Sequence, residues 1–186
     1  MSAAPDIAPV IAVVGPSGVG KDSVMQALTE RDPGFLIQNR VITRPQEAGG
    51  EDFTGVTPEV FARMQAEGAF AMSWQAHGLW YGIPAEVYDL RKGARAVLVN
   101  LSRAVLSEAQ ARFGDLIVLS LTAAPEVLAE RLAARGREDA ADRARRLQRA
   151  GAALPEGLRR VVEVDNSGSL EATVDTVLAR LQPESV

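Results

Sequence analysis

The chain has 186 residues, enough for one domain with a sizeable core and too few for two substantial ones. A hydrophobic share of 47% with 24% charged residues excludes wholesale disorder, and a net charge of -4 argues against a broadly basic face, so neither nucleic acid nor a membrane surface is expected as a partner. There is no cysteine, hence no disulfide framework and no thiolate metal site or nucleophile; no apolar run approaches the roughly 20 residues a bilayer span needs and no signal-type segment opens the chain, so a cytoplasmic protein is expected.

The first predicted element is an apolar strand over Val10–Val14, followed by GPSGVGKD over Gly15–Asp22 and a helix over Ser23–Glu30. Strand, glycine-rich loop and helix form the context in which Gly-x-x-x-x-Gly-Lys reads as a phosphate-binding loop. Gly15, Gly18 and Gly20 let the backbone turn tightly while Pro16, Ser17 and Val19 complete a wrap whose N–H groups converge on phosphate oxygens, and the helix N-terminus adds a favourable field. Lys21 is expected to reach between the β and γ phosphates of ATP, offsetting charge that shifts during transfer. The Ser or Thr that ordinarily follows this lysine and holds magnesium is here Asp22, with Ser23 after it. Two readings of Asp22 stand: its carboxylate binds Mg2+ directly or through a water, Ser23 taking over part of the displaced hydroxyl's role, or it only caps the positive end of the helix.

Phe35–Ile42 is predicted as a second strand, and 43–57 as a polar, glycine-containing excursion. Thr57 can cap a helix that begins at Pro58 and ends at Gly68. Strand-like pieces around Phe70–Trp74 and Leu79–Tyr81 precede a helix after Pro84, so that about 43–84 reads as an inserted substrate region. His77 is the only histidine and a tempting base. A structural role at the Gly78 turn is the expectation, because phosphoryl transfer can rely on orientation and electrostatics.

The remaining elements are strands over Ala94–Asn100, Leu116–Leu121 and Val161–Val164 and helices over Arg103–Arg112, Pro125–Arg135 and Leu170–Leu178; Gly136 interrupts the Pro125–Arg135 helix before a charged stretch over 137–149. Strands alternating with helices predict an α/β, three-layer fold with a mostly parallel central sheet, in one domain over 1–186. Asn100, Ser102 and Arg103 fall just beyond a strand's C-terminal end, the usual crevice edge of such sheets.

Four segments have a recognisable pattern: GPSGVGKDS over 15–23, RVITRP over 40–45, WQAHGLWYGIP over 74–84 and VLVNLSR over 97–103, extended by RLAARGRE over 131–138. On these the chain resembles the guanylate-kinase-like P-loop kinases, and among them the ribose 1,5-bisphosphate phosphokinases. The resemblance implies transfer of the γ-phosphoryl group of ATP to ribose 1,5-bisphosphate, with magnesium, in phosphonate breakdown. It further implies an acceptor-binding insertion at about 43–84 and a lid at about 135–145. Arg40 and Arg44 then become an acceptor phosphate clamp, suited to a dense bisphosphate by their planar forks, and Asp52 and the Tyr81–Gly82 pair are retained features of the acceptor site. Asn100, Ser102 and Arg103 would orient sugar hydroxyls or the 1-phosphate. Arg131, Arg135 and Arg137 are implied as lid arginines that neutralise the migrating group.

Three departures separate the chain from guanylate kinases. Met72 stands where an acidic residue reads guanine and cannot accept the base's N–H bonds; Phe53 replaces a phosphate-contacting tyrosine, and Glu47 replaces an arginine of the phosphate site. A guanylate or other nucleoside-monophosphate kinase is the enzymatic alternative, and a guanylate-kinase-like module that binds without catalysis is the alternative of another class. A homodimer is carried as an open expectation.

Overall fold

The computed structural model describes residues 7–45, 53–135 and 153–181. Strand β1 (Val10–Val14) runs into the glycine-rich loop and then α1 (Lys21–Arg31), followed by β2 (Phe35–Ile37), β3 (Arg40–Ile42), β4 (Phe53–Gly55), α2 (Pro58–Ala66), β5 (Phe70–Ala76), β6 (Leu79–Pro84) and α3 (Glu86–Leu90). Next come β7 (Ala96–Asn100), a 3-10 turn at Arg103–Val105, α4 (Leu106–Phe113), β8 (Leu116–Thr122), α5 (Pro125–Arg135), β9 (Val161–Asp165) and α6 (Leu170–Leu181).

Five strands form a parallel sheet in the order β2-β7-β1-β8-β9, and four form a second sheet in the order β4-β3-β6-β5. Period-two alternation divides the buried side chains of the large sheet between its faces. Val10, Ala12 and Val14 of β1 join Val97 and Val99 of β7, α4 and the inner face of the second sheet in one core, whereas Ile11 and Val13 join Leu98, Ile117 and Leu119 beneath α1, α5 and α6 in the other. Both faces of β1 and β7 and nearly all of β8 are therefore covered, and these strands read as apolar runs for that reason, whereas the edge strand β9 buries one face and alternates. No helix among the described residues is long and apolar enough to cross a membrane.

The segment Phe35–Ile42, predicted as one strand, is two. Phe35–Ile37 pairs with β7 in the parallel sheet, while Arg40–Ile42 pairs with β4 and β6 in the second one. Gln38 and Asn39 carry the chain between sheets, Gln38 still tied to the first through its N–H on Leu98 O at 3.0 Å. The 43–57 excursion contains β4, and the helix predicted over Arg103–Arg112 begins as a 3-10 turn. Thr57 caps α2 as expected, its Oγ1 accepting from Val60 N at 3.2 Å.

Candidate active site

From β1 the chain goes through α1 to β2, on one side; from β7 it goes through α4 to β8, on the other side of β1. Between the C-terminal ends of β1 and β7 the winding reverses, and such a switch point opens a crevice at the carboxyl edge of the sheet. The phosphate loop leaves β1 there, and Asn100 ends β7 in register with Val13.

The loop fits its place by lacking side chains where it is tight. A Cβ on Gly15 would stand 2.7 Å from Leu121 O on β8. Gly20 caps α1 at φ 96°, in the left-handed region, and a Cβ there would lie 2.8 Å from the Asn166 amide. Within the loop Val19 N donates to Pro16 O at 3.2 Å, and Lys21 Nζ reaches back to Gly15 O at 2.9 Å, so the lysine is folded over the loop it serves. Asp22 sits in the first turn of α1, half-buried, beside an exposed Ser23.

A small open cleft adjoins this turn, lined by Asp22, Gln26, Gln38, Asn39, Arg40 and Asn100 among others. It brings together three residues that the sequence assigned to different tasks: Asp22 to metal, Arg40 and Asn100 to the acceptor. Arg40 and Asn100 are each only 7% exposed, so their polar groups are held in place. The Arg40 guanidinium lies 4.9 Å from the Tyr81 ring centroid, and Tyr81 stacks on Trp74 at 5.5 Å with an interplanar angle of 8°. Trp74 in turn donates its indole N–H to Ser102 Oγ at 3.2 Å. Arg44 lies 4.3 Å from the centroid of the Phe53 ring, which shows what the phenylalanine does in place of a tyrosine: it offers a π face to a guanidinium. Arg103 opens the 3-10 turn after β7, and burial lowers its guanidinium pKa from the ordinary value.

Met72 is buried in the apolar core between the sheets. Gly82 has no room for a Cβ, which would stand 2.5 Å from the Phe70 ring. His77, at φ 53°, and Gly78 form the two-residue turn between β5 and β6, and the imidazole is on an exposed hairpin tip.

Arg131 projects from α5 onto the back of the phosphate loop. Its guanidinium donates to Gly18 O at 3.3 Å, Val19 O at 3.1 Å and Asn166 O at 2.7 Å. Sequence reasoning missed the partners of this contact: Asn166, just after β9, donates Nδ2 to Val19 O at 2.7 Å, and Thr173 on α6 donates to Asn166 Oδ1 at 2.5 Å. Asp165, beside it, has its pKa lowered by hydrogen bonds from Ser167 and, less, by Arg131. Asp52, Glu47, Gly136, Arg137 and the rest of the expected lid lie outside the described residues, as does the side chain of Arg135.

For magnesium the donors at hand are the Asp22 carboxylate and Ser23 hydroxyl, with Asn100 on the same cleft as Asp22. Among the described residues no three His, Cys, Asp or Glu side chains gather into a cage. Magnesium characteristically takes one or two carboxylates and completes its octahedron with water and phosphate oxygens, and this sparse donor set fits that mode.

Comparison with known proteins narrows the chemistry. A family model described as AAA domain matches residues 11–151. The chain is 59% identical over 176 residues to ribose 1,5-bisphosphate phosphokinase PhnN of Ruegeria sp. (strain TM1040), covering 95% of this chain and 93% of the relative. Proteins of the same description from Pseudomonas fluorescens and Agrobacterium fabrum are 49% and 45% identical, with 92% and 93% of this chain covered and 94% and 96% of theirs. Among solved structures, the guanylate kinase of Anaplasma phagocytophilum superposes with a TM-score of 0.66 at 18% identity, over 95% of this chain and 85% of the other. A gluconokinase from Sinorhizobium meliloti gives 0.54 at 23% identity, over 93% and 91%. The two structures share the α/β P-loop kinase fold.

Proposed function

The chain belongs to the ribose 1,5-bisphosphate phosphokinases, within the AAA-domain group of P-loop proteins, and from that membership we propose that it transfers the γ-phosphoryl group of ATP to ribose 1,5-bisphosphate, giving 5-phospho-α-D-ribose 1-diphosphate and ADP. The observation that carries the reading is the shared cleft: the first turn after the phosphate loop and the buried Arg40 face one space at the switch point of the sheet. Donor and acceptor can meet there without a protein nucleophile.

In this mechanism an oxygen of the acceptor's 1-phosphate attacks the γ phosphorus in line, a new P–O bond forms, the bond to the β–γ bridging oxygen breaks, and ADP leaves with that electron pair. The attacking phosphate is already anionic, so no general base is needed, in keeping with His77 on an exposed turn. Lys21 offsets charge at the transferring group. Arg40 and Arg44 hold the acceptor's phosphates, each presented on an aromatic face. Asn100 and Arg103, at the edge of β7, orient the sugar or its 1-phosphate, and Ser102 does so while holding Trp74. Asp22 and Ser23 would hold magnesium, which when bound supplies positive charge to the β and γ oxygens. Arg135 and Arg137, with Asp52 in the insertion, complete the assignments: the two arginines to the transferring group and the carboxylate to the acceptor.

Met72 in an apolar core is the observation against a guanine acceptor. The discriminating assay offers ribose 1,5-bisphosphate, GMP and ribose 5-phosphate side by side with ATP and resolves products by phosphorus NMR. A diphosphate on the sugar bisphosphate alone is expected; preferential conversion of GMP would overturn the assignment.

A further inference from the structure

Two polar side chains, buried Asn166 and half-buried Arg131, converge on one carbonyl behind the phosphate loop, and a third, Thr173, holds the first of them. Val19 O accepts from Asn166 Nδ2 at 2.7 Å and from Arg131 at 3.1 Å. Because that carbonyl can only accept, the Asn166 amide must present its nitrogen to it, and its oxygen therefore turns to Thr173, whose hydroxyl donates at 2.5 Å. Asn166 and Thr173 are 4% and 3% exposed, and the other acceptor near the Thr173 hydroxyl, Ser169 O, is farther away at 3.2 Å. The loop has made room for the contact, since a Cβ on Gly20 would fall 2.8 Å from the same amide nitrogen.

A trans peptide is planar, with C=O and N–H pointing in opposite directions. Tying Val19 C=O to the rear of the loop thus turns the Gly20 N–H toward the front, where α1 begins and phosphate oxygens are received. We propose that Asn166, locked by Thr173 and supported by Arg131, is a positioning residue that sets the Val19–Gly20 peptide in its phosphate-receiving orientation. Thr173 acts through Asn166. Arg131, whose guanidinium bridges Gly18 O, Val19 O and Asn166 O, ties the loop to α5, so its effect on the reaction runs through loop geometry. The inference rests on the reading of this loop as a nucleotide site.

Calorimetric titration of the full chain with ADP and with ATP–magnesium, alongside acceptor KM and melting temperature, tests it. Thr173→Val keeps the shape of the side chain and removes the proton that holds Asn166; it is expected to weaken both nucleotides about five- to tenfold and leave acceptor KM unchanged. Thr173→Ser should return affinity to within about twofold of the unaltered protein. Asn166→Ala is expected to cost about tenfold or more, and the double variant no more than Asn166→Ala alone, because Thr173 has no separate route to the loop. The Thr173 pair carries the test even where Asn166→Ala does not fold. Folded Thr173→Val that binds nucleotide normally, multiplicative losses in the double variant, or a loss confined to acceptor saturation would each overturn the inference. An unaltered protein that binds neither ADP nor ATP would overturn the functional reading itself.

Discussion

The guanidinium of Arg40 lies over Tyr81, 4.9 Å from the ring centroid, and that ring is in turn stacked on Trp74 at 5.5 Å. All three are under 10% exposed, so the arginine expected to meet a phosphate is fixed by a desolvated π face before any acceptor arrives. Tyr81→Leu keeps an apolar filler but removes the face. It is expected to raise the KM for ribose 1,5-bisphosphate about 3- to 10-fold with the KM for ATP unchanged, measured by initial rates with each substrate varied in turn. An ATP effect of equal size would mean that the stack serves general packing.

The Lys21 ammonium donates to Gly15 O, and the residue, half-buried, is not a member of either apolar core. Lys21→Ala is accordingly expected to lower kcat by about 10²- to 10³-fold while the melting temperature stays within a few degrees, about the size of effect seen when a single donor to a developing charge is removed. Single-turnover kinetics and thermal denaturation on the same preparation check both halves.

Asp22 places a negative charge in the first turn of α1, close to where nucleotide phosphates are received. If the carboxylate serves the metal, Asp22→Asn should raise the magnesium concentration for half-maximal activity about tenfold or more. The same substitution removes a like charge, so metal-free ADP should bind more tightly to the variant in calorimetry. A cap alone shares the tighter ADP binding but predicts no change in the magnesium requirement, only a small loss of stability.

Hydrogen bonds from Ser167 are the main cause of the lowered pKa of Asp165, and the positive charge of Arg131 adds to it. The sign follows from linkage: a carboxyl whose folded pKa lies below its unfolded one contributes stability fully above the unfolded pKa and loses it as pH falls through the folded value, here below the ordinary 3.8. Ser167→Ala should bring the Asp165 carboxyl titration, followed by NMR, back toward that ordinary value. It should also free the Ala124 N–H, which donates to Ser167 Oγ at 2.7 Å at the entrance to α5.

The phosphate loop was legible because its function demands a fixed spacing of glycines and a lysine after an apolar strand. The central strands of the parallel sheet were legible because both their faces are buried, which leaves apolar runs, and the edge strand β9 by its alternation. The change of sheet at Gln38–Asn39 was not: a short run that crosses from one sheet to another has the same composition as a single strand, and only the pairing partners distinguish them. Asn166 and Thr173 escaped because neither belongs to a motif. One signal was present, a threonine on the apolar side of α6 among Val174 and Val177, where a hydroxyl needs a buried partner. The aromatic support of Arg40 was hidden likewise, since Trp74 and Tyr81 are far from it in sequence and meet it only across the second sheet.

The two-residue passage from Ile37 to Arg40 places the phosphate loop and the arginine proposed to hold the acceptor on different sheets. What lies between those sheets is the shared core of Val14, Val99, Ile42, Met72 and Ile83. On that proposal, the spacing of donor and acceptor is set by the thickness of a hydrocarbon layer. Trimming a methylene group from Ile42 is then expected to alter the reach of a chemical step as well as the stability of a fold, and the interior of this protein becomes part of its ruler.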